Sequence, residues 1–407
     1  MAFAGMVHFL RLREPYDARS KTNGGFMEGR DNGMREGDRR EQGRNPQAMA
    51  ADAGAAAAAA STAARPDGPW TVRRLIGWIS TFLGEREVDS PRRTAEILLG
   101  EVLRVERLKL YMEPDRELEA SELATLRALV ARAGKHEPVQ FLVGRWPFFG
   151  RDFKVAPCTL IPRPCTETLV ERALDGYRAR GGGSLRAIDL CTGTGCIAVS
   201  VALGLRAIAR PSGAGCRPIR AADPATETVA RDLAREAAPD AVQSGARATG
   251  AAAADAAACD ITVVATEVVA EAVELARENA RRLGASLDLR TGDLWSAARP
   301  GERFDLVVSN PPYVTDAEYA ELDRNVKEYE PASALKGGRD GLDLVRRVVE
   351  GAAARLEAGG LLLVEIGWKH GDAARALVAG PRWSGVEILK DGEGIDRVLC
   401  AERTAVA

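Results

Sequence analysis

Residues 184–202, with the sequence SLRAIDLCTGTGCIAVSVA, contain the pattern that decides the fold. Residues 184–190 form a short apolar run that predicts a buried parallel strand. A glycine-rich turn follows at residues 191–195, and the next six or so residues favour a helix. This order opens a nucleotide-binding βαβ unit, because glycines let the backbone approach a ligand that would collide with a Cβ. No G-K-[ST] follows the turn, so a phosphate-binding P-loop is not supported.

The second strand of such a unit is expected to end in an acid that binds ribose hydroxyls, about 20 residues after the glycines. Glu267 ends the apolar run that begins at Ile261, whereas Asp223 lies closer to the turn in a less apolar segment. We favour Glu267 as the ribose-binding acid, because a helical pattern and a further strand follow it directly in the sequence. Residues 204–258, rich in Ala, Gly, Pro and Arg, then form a partly disordered surface insertion.

The third strand is predicted at residues 287–290 and is followed by Asp293. At the carboxyl end of a parallel strand, this carboxylate could accept a hydrogen bond from an exocyclic amine of a ligand. A capping or turn role for Asp293 is the alternative.

The fourth strand, at residues 304–308, runs into Ser-Asn-Pro-Pro-Tyr at residues 309–313. Pro311 and Pro312 have no N–H, so the backbone offers carbonyl acceptors without competing donors. Asn310 adds a side-chain carbonyl and Tyr313 a flat ring. The combination suits a planar group that carries an NH2, although a plain turn after a strand would leave the same pattern.

The segment before these strands predicts a small helical domain and a hairpin. Three amphipathic helices are expected between residues 70 and 136, the second capped by Ser90 with Pro91 as its first residue and the third capped by Ser121. These helices either pack only among themselves or also bind a macromolecular substrate. Alternation over residues 138–144 and 148–155 predicts a β-hairpin linker within residues 137–165.

Residues 1–69 mix charged residues without periodicity and include a run of alanines at 55–60, so we expect them to be disordered. A transit peptide is the alternative, but Glu14, Asp17 and Glu28 argue against it. No secretory signal is evident at the start of the chain.

Composition excludes several classes of protein. The 407 residues are 46% hydrophobic and 28% charged with a net charge of −2, which is ordinary for a globular protein and speaks against a wide nonspecific nucleic-acid surface. Seven cysteines without a C-x-x-C and only three histidines predict a metal-free protein of a reducing compartment. No apolar run reaches the length of about 20 residues that a membrane span needs.

Several separated motifs together resemble the PrmC/HemK family of S-adenosylmethionine-dependent methyltransferases. The resemblance covers roughly residues 70–402 and is carried by SPRRTAEILLGEVL, LYMEPDREL, IPRP-x-TE, D-L-x-T-G-T-G, N-P-P-Y and L-L-L-V-E-I-G-W. It implies an α/β fold with a Rossmann-like, seven-stranded methyltransferase domain at residues 166–407, preceded by a helical substrate-binding domain at 70–136 and the hairpin linker. The implied reaction is N5-methylation of the glutamine in the Gly-Gly-Gln motif of peptide-chain release factors. The implied protein is a cytoplasmic monomer without a stable nucleic-acid or membrane partner.

Carried over by position, the resemblance implies a cofactor site, a substrate site and no metal. S-adenosylmethionine would contact Cys191, Thr192, Gly193, Thr194, Gly195, Glu267, Asp293, Leu294 and Asn310. The substrate glutamine would be held by Asn310, Pro311, Pro312 and Tyr313, with Asn310, Pro311 and Tyr313 assigned to catalysis. Three residues depart from the family pattern, which has Asp where Cys165 stands, Gly where Cys191 stands and Asp where Glu267 stands. These departures bear most on cofactor affinity.

Three other functions remain open from the sequence. A sibling enzyme would methylate a glutamine of a ribosomal protein, and a nucleic-acid enzyme would methylate the planar amino group of a base. The slightly negative net charge and the lack of a recognisable base-reading domain count against the nucleic-acid enzyme. A protein of another class would bind a translation factor without catalysis and carry a decayed cofactor site.

Overall fold

Residues 68–209 and 260–405 are the part of the chain that this computed structural model describes, and they begin with five helices. The helices are α1 (Val72–Gly84), α2 (Pro91–Leu103), α3 (Arg107–Met112), α4 (Ala120–Ala133) and α5 (Val139–Val143). Their apolar faces share one core, in which Ile79, Leu98 and Leu99 are completely buried. The three amphipathic helices expected from the sequence are α1, α2 and α4.

Three details of this helical part differ from the sequence-based expectation. Helix α4 begins at Ala120, before Ser121, because the Glu122 carboxylate accepts a 2.9 Å hydrogen bond from the backbone N–H of Glu119 and closes the first turn. The strand predicted at residues 138–144 is wrong, since this segment forms α5 and ends at Gly144 with a φ of 72°. Helix α3 was not predicted, because six residues are too few to display a helical period.

A two-stranded hairpin follows, as the alternation over residues 148–155 predicted. Strands β1 (Arg145–Phe148) and β2 (Arg151–Lys154) pair antiparallel. The two residues between them, Phe149 and Gly150, have φ values of 49° and 70°, as a tight hairpin turn of matching twist requires.

The rest of the described chain alternates between strands and helices. Its main sheet contains β3 (Leu185–Leu190), β4 (Ile261–Glu267), β5 (Asp288–Thr291), β6 (Phe304–Ser309), β9 (Leu356–Glu365), β10 (Trp383–Lys390) and β11 (Asp396–Arg403). The longer helices are α6 (Glu167–Ala179), α7 (Cys196–Ala209), α8 (Ala270–Leu283), α11 (Asp343–Arg355) and α12 (Gly371–Leu377). Between β6 and β9 lie the short elements β7 (Val314–Thr315), α9 (Asp316–Ala320), α10 (Arg324–Lys327) and β8 (Lys336–Gly338).

The seven strands have the order β10-β11-β9-β6-β3-β4-β5, and β11 runs antiparallel to the other six. This arrangement confirms the predicted α/β fold and the predicted antiparallel pair at the end of the chain. Both faces of the sheet are covered, since Ala187 packs into one apolar core and Ile188 into another. Strands buried on both faces read as continuous apolar runs, which explains why the sequence identified them.

The register of the central strands brings the predicted site together. Leu190 of β3 lies opposite Ser309 of β6 on one side and Thr266 of β4 on the other. The next residues along the three strands are Cys191, Asn310 and Glu267. They therefore lie at one edge of the sheet, where the strand order reverses and ligands of such folds bind.

Some predictions fall outside the described residues, namely the disorder of residues 1–67, Asp223 as the alternative acid, and residues 210–258 of the proposed insertion. Helix α7 continues to Ala209, a few residues past the approximate start predicted for the insertion. Within residues 68–209 and 260–405 no helix has the length and apolar character to cross a membrane. In the same residues, no group of three or more His, Cys, Asp or Glu side chains is placed to hold a metal ion.

Candidate active site

The glycine-rich turn that joins β3 to α7 contains three residues with positive φ. Gly193 has a φ of 53° and Gly195 a φ of 79°. A Cβ on Gly195 would lie 3.1 Å from the Cβ of Ala276 on α8, so glycine is needed there for close packing as well. Cys191 has a φ of 62°, a conformation that costs an L-residue about 1–2 kcal/mol. The turn thus carries one strained non-glycine residue.

Asp189 supports this turn from within the sheet, a role that the sequence had not indicated. Its side chain is completely buried, and its Oδ2 accepts a 2.6 Å hydrogen bond from the Thr192 hydroxyl. Burial raises the pKa of Asp189 to about 7. The hydrogen bond ties the strand end to the residue after Cys191.

Glu267 closes the turn from the neighbouring strand. Its Oε2 accepts a 3.1 Å hydrogen bond from the backbone N–H of Gly193, and its Oε1 accepts from Val268 and Val269 at 2.8 and 3.2 Å. The backbone N–H of Gly292 donates to the Glu267 carbonyl at 2.9 Å, which brings the segment with Asp293 to the same edge. A carboxylate has about four lone-pair sites, so Glu267 can still accept from a bound ligand.

These residues line a cleft with about 890 Å³ of empty space, part of it open to solvent. Eight of the nine predicted cofactor-binding residues line it, namely Cys191, Thr192, Gly193, Thr194, Glu267, Asp293, Leu294 and Asn310. Gly195 does not, because it packs on α8. Asp293 forms a 2.6 Å ion pair with Arg347, so part of its hydrogen-bonding capacity is already used.

The Asn-Pro-Pro-Tyr motif separates this cleft from a second one of about 810 Å³. Asn310 and Pro312 line both clefts, whereas Pro311 and Tyr313 line only the second. Ligands that occupied the two clefts would meet at Asn310. Such an arrangement permits transfer of a group from one ligand to the other.

Hydrogen bonds behind the motif involve residues that sequence analysis did not assign to the site. The Asn310 Nδ2 donates to the Thr166 hydroxyl at 3.3 Å, and the Tyr313 hydroxyl donates to Glu365 Oε1 at 3.2 Å. Glu365 is completely buried, and burial raises its pKa. Thr166 and Glu365 stand in the IPRP-x-TE and L-L-L-V-E-I-G-W segments, and that position was the only signal in the sequence.

Cys165, where the family pattern has Asp, lies beside the same carboxyl group. Its Sγ is 3.9 Å from Glu365 Oε1. Burial raises the pKa of Cys165 to about 12, which keeps the thiol protonated at neutral pH. The thiol therefore adds a weak donor near Glu365 and no charge.

His370 also lines the second cleft, although it is distant from the motif in sequence. Burial lowers the pKa of His370, so its imidazole is neutral at neutral pH. A Cβ on Gly341 would lie 2.5 Å from His370 Cε1 and 2.4 Å from the Tyr313 carbonyl oxygen. The loop around Gly341 thus packs directly on the motif and on this histidine.

Comparison with known proteins decides the family. Family models for the PrmC N-terminal domain and for the methyltransferase small domain match residues 74–144 and 218–327. The release factor glutamine methyltransferase of Geobacter sulfurreducens is 34% identical over 330 residues, which are 81% of this chain and 96% of the relative. The chain belongs to the release factor glutamine methyltransferase family. The resemblance inferred from the sequence motifs is thereby confirmed.

Other members of the release factor glutamine methyltransferase family match over a similar length. The enzyme of Koribacter versatilis is 32% identical over 333 residues, or 82% of this chain and 99% of the relative. That of Bacillus subtilis is 30% identical over 335 residues, or 81% and 97%. Among solved structures, a methyltransferase from Pyrococcus furiosus matches 71% of this chain and 100% of its own, with 17% identity and a TM-score of 0.35.

Proposed function

We propose that this protein transfers the methyl group of S-adenosylmethionine to the side-chain amide nitrogen of a glutamine in a peptide-chain release factor. The observation that carries the proposal is the pair of clefts that meet at Asn310 and Pro312. In this proposal the first cleft binds the cofactor and the second admits the glutamine of the Gly-Gly-Gln motif. The names of the relatives support the choice of substrate.

The residues of the first cleft fit S-adenosylmethionine in their chemistry. The position of a Cβ on Gly193 has no atom within 4 Å, so the turn leaves room for a ligand against its backbone. Glu267 would accept from the ribose hydroxyls, and Asp293 and Leu294 would contact the adenine. When bound, the cofactor supplies a methyl group on a positively charged sulfur.

The residues of the motif would assist a nucleophile that is weak by itself. The lone pair of an amide nitrogen is delocalised into its carbonyl group. The Asn310 Oδ1 and the main-chain carbonyl of Pro311 would accept hydrogen bonds from the two N–H groups of the glutamine amide. These hydrogen bonds strengthen as the nitrogen gains positive charge. Tyr313 would stack on the amide plane. Proton loss follows methyl transfer in this scheme, so no general base is assigned.

The helical part is proposed to hold the body of the substrate. A third cleft, with about 1950 Å³ of empty space, lies between α2 and α10 and is lined by Arg93, Ile97 and Asn325 among others. Arg163 and Val326 line both this cleft and the second one. The two clefts are therefore neighbours, and together they are called the groove between the helical part and Asn310; their position supports residues 70–136 as a substrate-binding domain.

Label transfer would test the proposed activity. The protein is incubated with methyl-labelled S-adenosylmethionine in three separate reactions, which contain purified release factors, ribosomal proteins or DNA. The label is then located by mass spectrometry. We expect label on the side chain of one release-factor glutamine. Label only on a ribosomal protein or a base would refute the proposed substrate and identify the other one. Absence of cofactor binding in calorimetry would indicate a non-catalytic binding protein.

Asn310→Ala is the matching active-site variant. We expect it to abolish methyl transfer, because the amide acceptor at the junction of the clefts is lost, while it retains part of the cofactor affinity measured by calorimetry. Normal turnover by Asn310→Ala on a release factor would contradict the proposed role of this side chain.

A further inference from the structure

One tryptophan at the second cleft is exposed to solvent. Trp368 is 37% exposed, and it lines the cleft together with the Asn-Pro-Pro-Tyr motif. Single exposed apolar side chains are common on protein surfaces and do not indicate a function by themselves. Trp368 is different, because contacts around the second cleft fix where its ring lies.

A tight turn after β9 brings Trp368 to the surface. The backbone N–H of His370 donates to the Gly367 carbonyl at 2.8 Å, so Trp368 and Lys369 are the two central residues of the turn. Gly367 and His370 are buried, whereas both central residues are exposed. The turn therefore presents the tryptophan ring at the mouth of the cleft and buries the residues on either side of it.

The same turn packs against the Asn-Pro-Pro-Tyr motif. A Cβ on Gly367 would lie 3.4 Å from Tyr313 Cδ2. Val364 of β9 lies opposite Ser309 of β6, so the two strands reach the same edge of the sheet before the turn and the motif begin. Trp368 thus directly follows the residue that packs on Tyr313, and both aromatic residues line the second cleft.

Lys369 restrains the indole ring of Trp368. Its Nζ lies 4.8 Å from the centroid of the ring, which is within the range of a cation–π contact. The same Nζ forms a 3.0 Å ion pair with Glu318 Oε1. Glu318 is tied to α9 in turn, because its Oε2 accepts from the backbone N–H and the hydroxyl of Thr315 at 3.2 and 3.0 Å. These contacts limit the orientations of the ring at the cleft.

A restrained flat ring suits a stretch of substrate backbone that carries no side chain. An indole ring offers a large apolar face with few rotatable bonds. Glycine has no Cβ, so its backbone can approach such a face more closely than the backbone of any other residue. A methyl group at the same position would hold the chain away from the ring and shift the neighbouring glutamine relative to Asn310.

We propose that Trp368 is a specificity-determining residue that packs on the glycine directly before the reactive glutamine and excludes larger residues there. The inference rests on the proposed function, since it takes the Gly-Gly-Gln motif as the segment that enters the second cleft. Trp368 contacts the substrate backbone and takes no part in methyl transfer. Loss of the ring should therefore weaken the selection for glycine, and a smaller flat ring should retain it.

The test compares two whole release factors as methyl acceptors, one with Gly-Gly-Gln and one with Gly-Ala-Gln. For the wild type we expect kcat/KM to be about 30-fold higher with Gly-Gly-Gln, which is within the range by which enzymes distinguish one methylene group. In Trp368→Ala this ratio should fall to about threefold or less, because the space left by the ring admits the added methyl group. Trp368→Phe keeps a flat ring, so its ratio should stay at about tenfold or more.

Trp78→Ala is the matched control for this comparison. Trp78 is also an exposed tryptophan, at 46%, and it lines none of the three clefts that the described residues form. The ratio for Trp78→Ala should therefore equal that of the wild type.

A second readout does not depend on methyl transfer. A short Gly-Gly-Gln peptide without tryptophan is added to the protein in the presence of S-adenosylhomocysteine, which has no methyl group to transfer. We expect the peptide to change the tryptophan fluorescence of the wild type and of Trp78→Phe. In Trp368→Phe most of this change should be lost, while the peptide Kd from calorimetry stays within about threefold of the wild-type value.

The role of Trp368 is wrong if Trp368→Ala distinguishes the two release factors as strongly as the wild type does, or if the wild type does not distinguish them. It is also wrong if the fluorescence change is the same in Trp368→Phe as in the wild type. A wild-type protein that methylates neither release factor would refute the proposed function instead. The fluorescence measurement would still decide in that case whether Trp368 contacts the peptide.

Discussion

Cys191 shows how one side chain can strain an otherwise suitable turn. Its φ of 62° lies in the left-handed region that glycine adopts freely and that other residues adopt at a cost. The sequence shows that Cys191 replaces the glycine of the family pattern, and the structure shows that this position has a positive φ.

The strain at Cys191 can be measured with two variants that both lack the thiol. Cys191→Gly removes the Cβ, and Cys191→Ala keeps it, so the loss of the thiol is the same in both. We expect Cys191→Gly to have a free energy of unfolding about 1 kcal/mol above that of Cys191→Ala. Urea unfolding followed by circular dichroism gives this difference. Equal stability of the two variants would show that the turn relaxes without strain.

The site residues differ in how far the sequence could predict them. Cys191, Glu267 and Asn310 follow apolar strand patterns, and the carboxyl ends of parallel strands must meet at one edge of a sheet. Thr166 and Asn310 are 144 residues apart, and Thr166 precedes a helix, so no strand pattern links the two. Their contact depends on how α6 packs against the sheet, and single-sequence periodicity carries no information on that packing.

At the scale of elements, the segment from β8 to the start of α11 holds the motif in place. A Cβ on Gly337 would lie 2.7 Å from the Tyr313 Cα and 2.8 Å from the Pro312 carbonyl oxygen. Strand β8 pairs with β7, which begins directly after Tyr313. Glycines in this segment therefore allow two stretches of backbone to approach closely on the substrate side of the motif.

Gly341→Ala tests this close approach. Gly341 has a φ of 75°, and its Cβ would lie 2.4 Å from the Tyr313 carbonyl oxygen. Gly284 at the end of α8 has a φ of 73° and no atom within 4 Å of its Cβ position, so Gly284→Ala introduces backbone strain alone. We expect Gly341→Ala to lose about 1–3 kcal/mol more stability than Gly284→Ala and also to lose activity. Similar losses in the two variants would mean that crowding at the motif is unimportant.

The errors in the predicted elements have a common physical origin. Residues 139–143 alternate as a strand would, but five residues fit either period, and the positive φ of Gly144 fits a helix end as well as a turn. Helix α3 leaves Leu108 and Met112 exposed, at 68% and 72%, so it lacks the buried stripe that would identify it. Long elements with a buried face were predicted correctly, because burial imposes their pattern.

At the scale of the whole molecule, the sequence predicts the helical core and the sheet but not the groove between them. Apolar patterning identifies what each part buries within itself. The groove depends on polar contacts such as the 2.7 Å hydrogen bond from the Tyr329 hydroxyl to the Lys135 carbonyl and the salt bridge between Arg163 and Glu330. Such contacts join segments far apart in the chain and leave no periodic signal.

The proposed role of the groove leads to a test that separates substrate docking from chemistry. Arg93 on α2 is exposed and lines the groove, whereas Arg127 on α4 is exposed but lies outside it. We expect Arg93→Ala to raise KM for a whole release factor about tenfold, because arginines are common among the residues that dominate protein interfaces. Cofactor affinity should be unchanged, and Arg127→Ala, which changes the net charge equally, should leave KM unaltered.

A short peptide that carries the Gly-Gly-Gln motif provides the internal control for this test. Such a peptide can fill the second cleft at Asn310 without extending to α2, so its methylation should be equal in the wild type, Arg93→Ala and Arg127→Ala. A KM that rises for the peptide as well would place the effect of Arg93 in the catalytic cleft. An unchanged KM of Arg93→Ala for the whole release factor would show that this arginine does not contact the substrate. Arg324 lies on the opposite wall of the groove. If Arg324→Ala also left this KM unchanged, the groove would not be the docking surface.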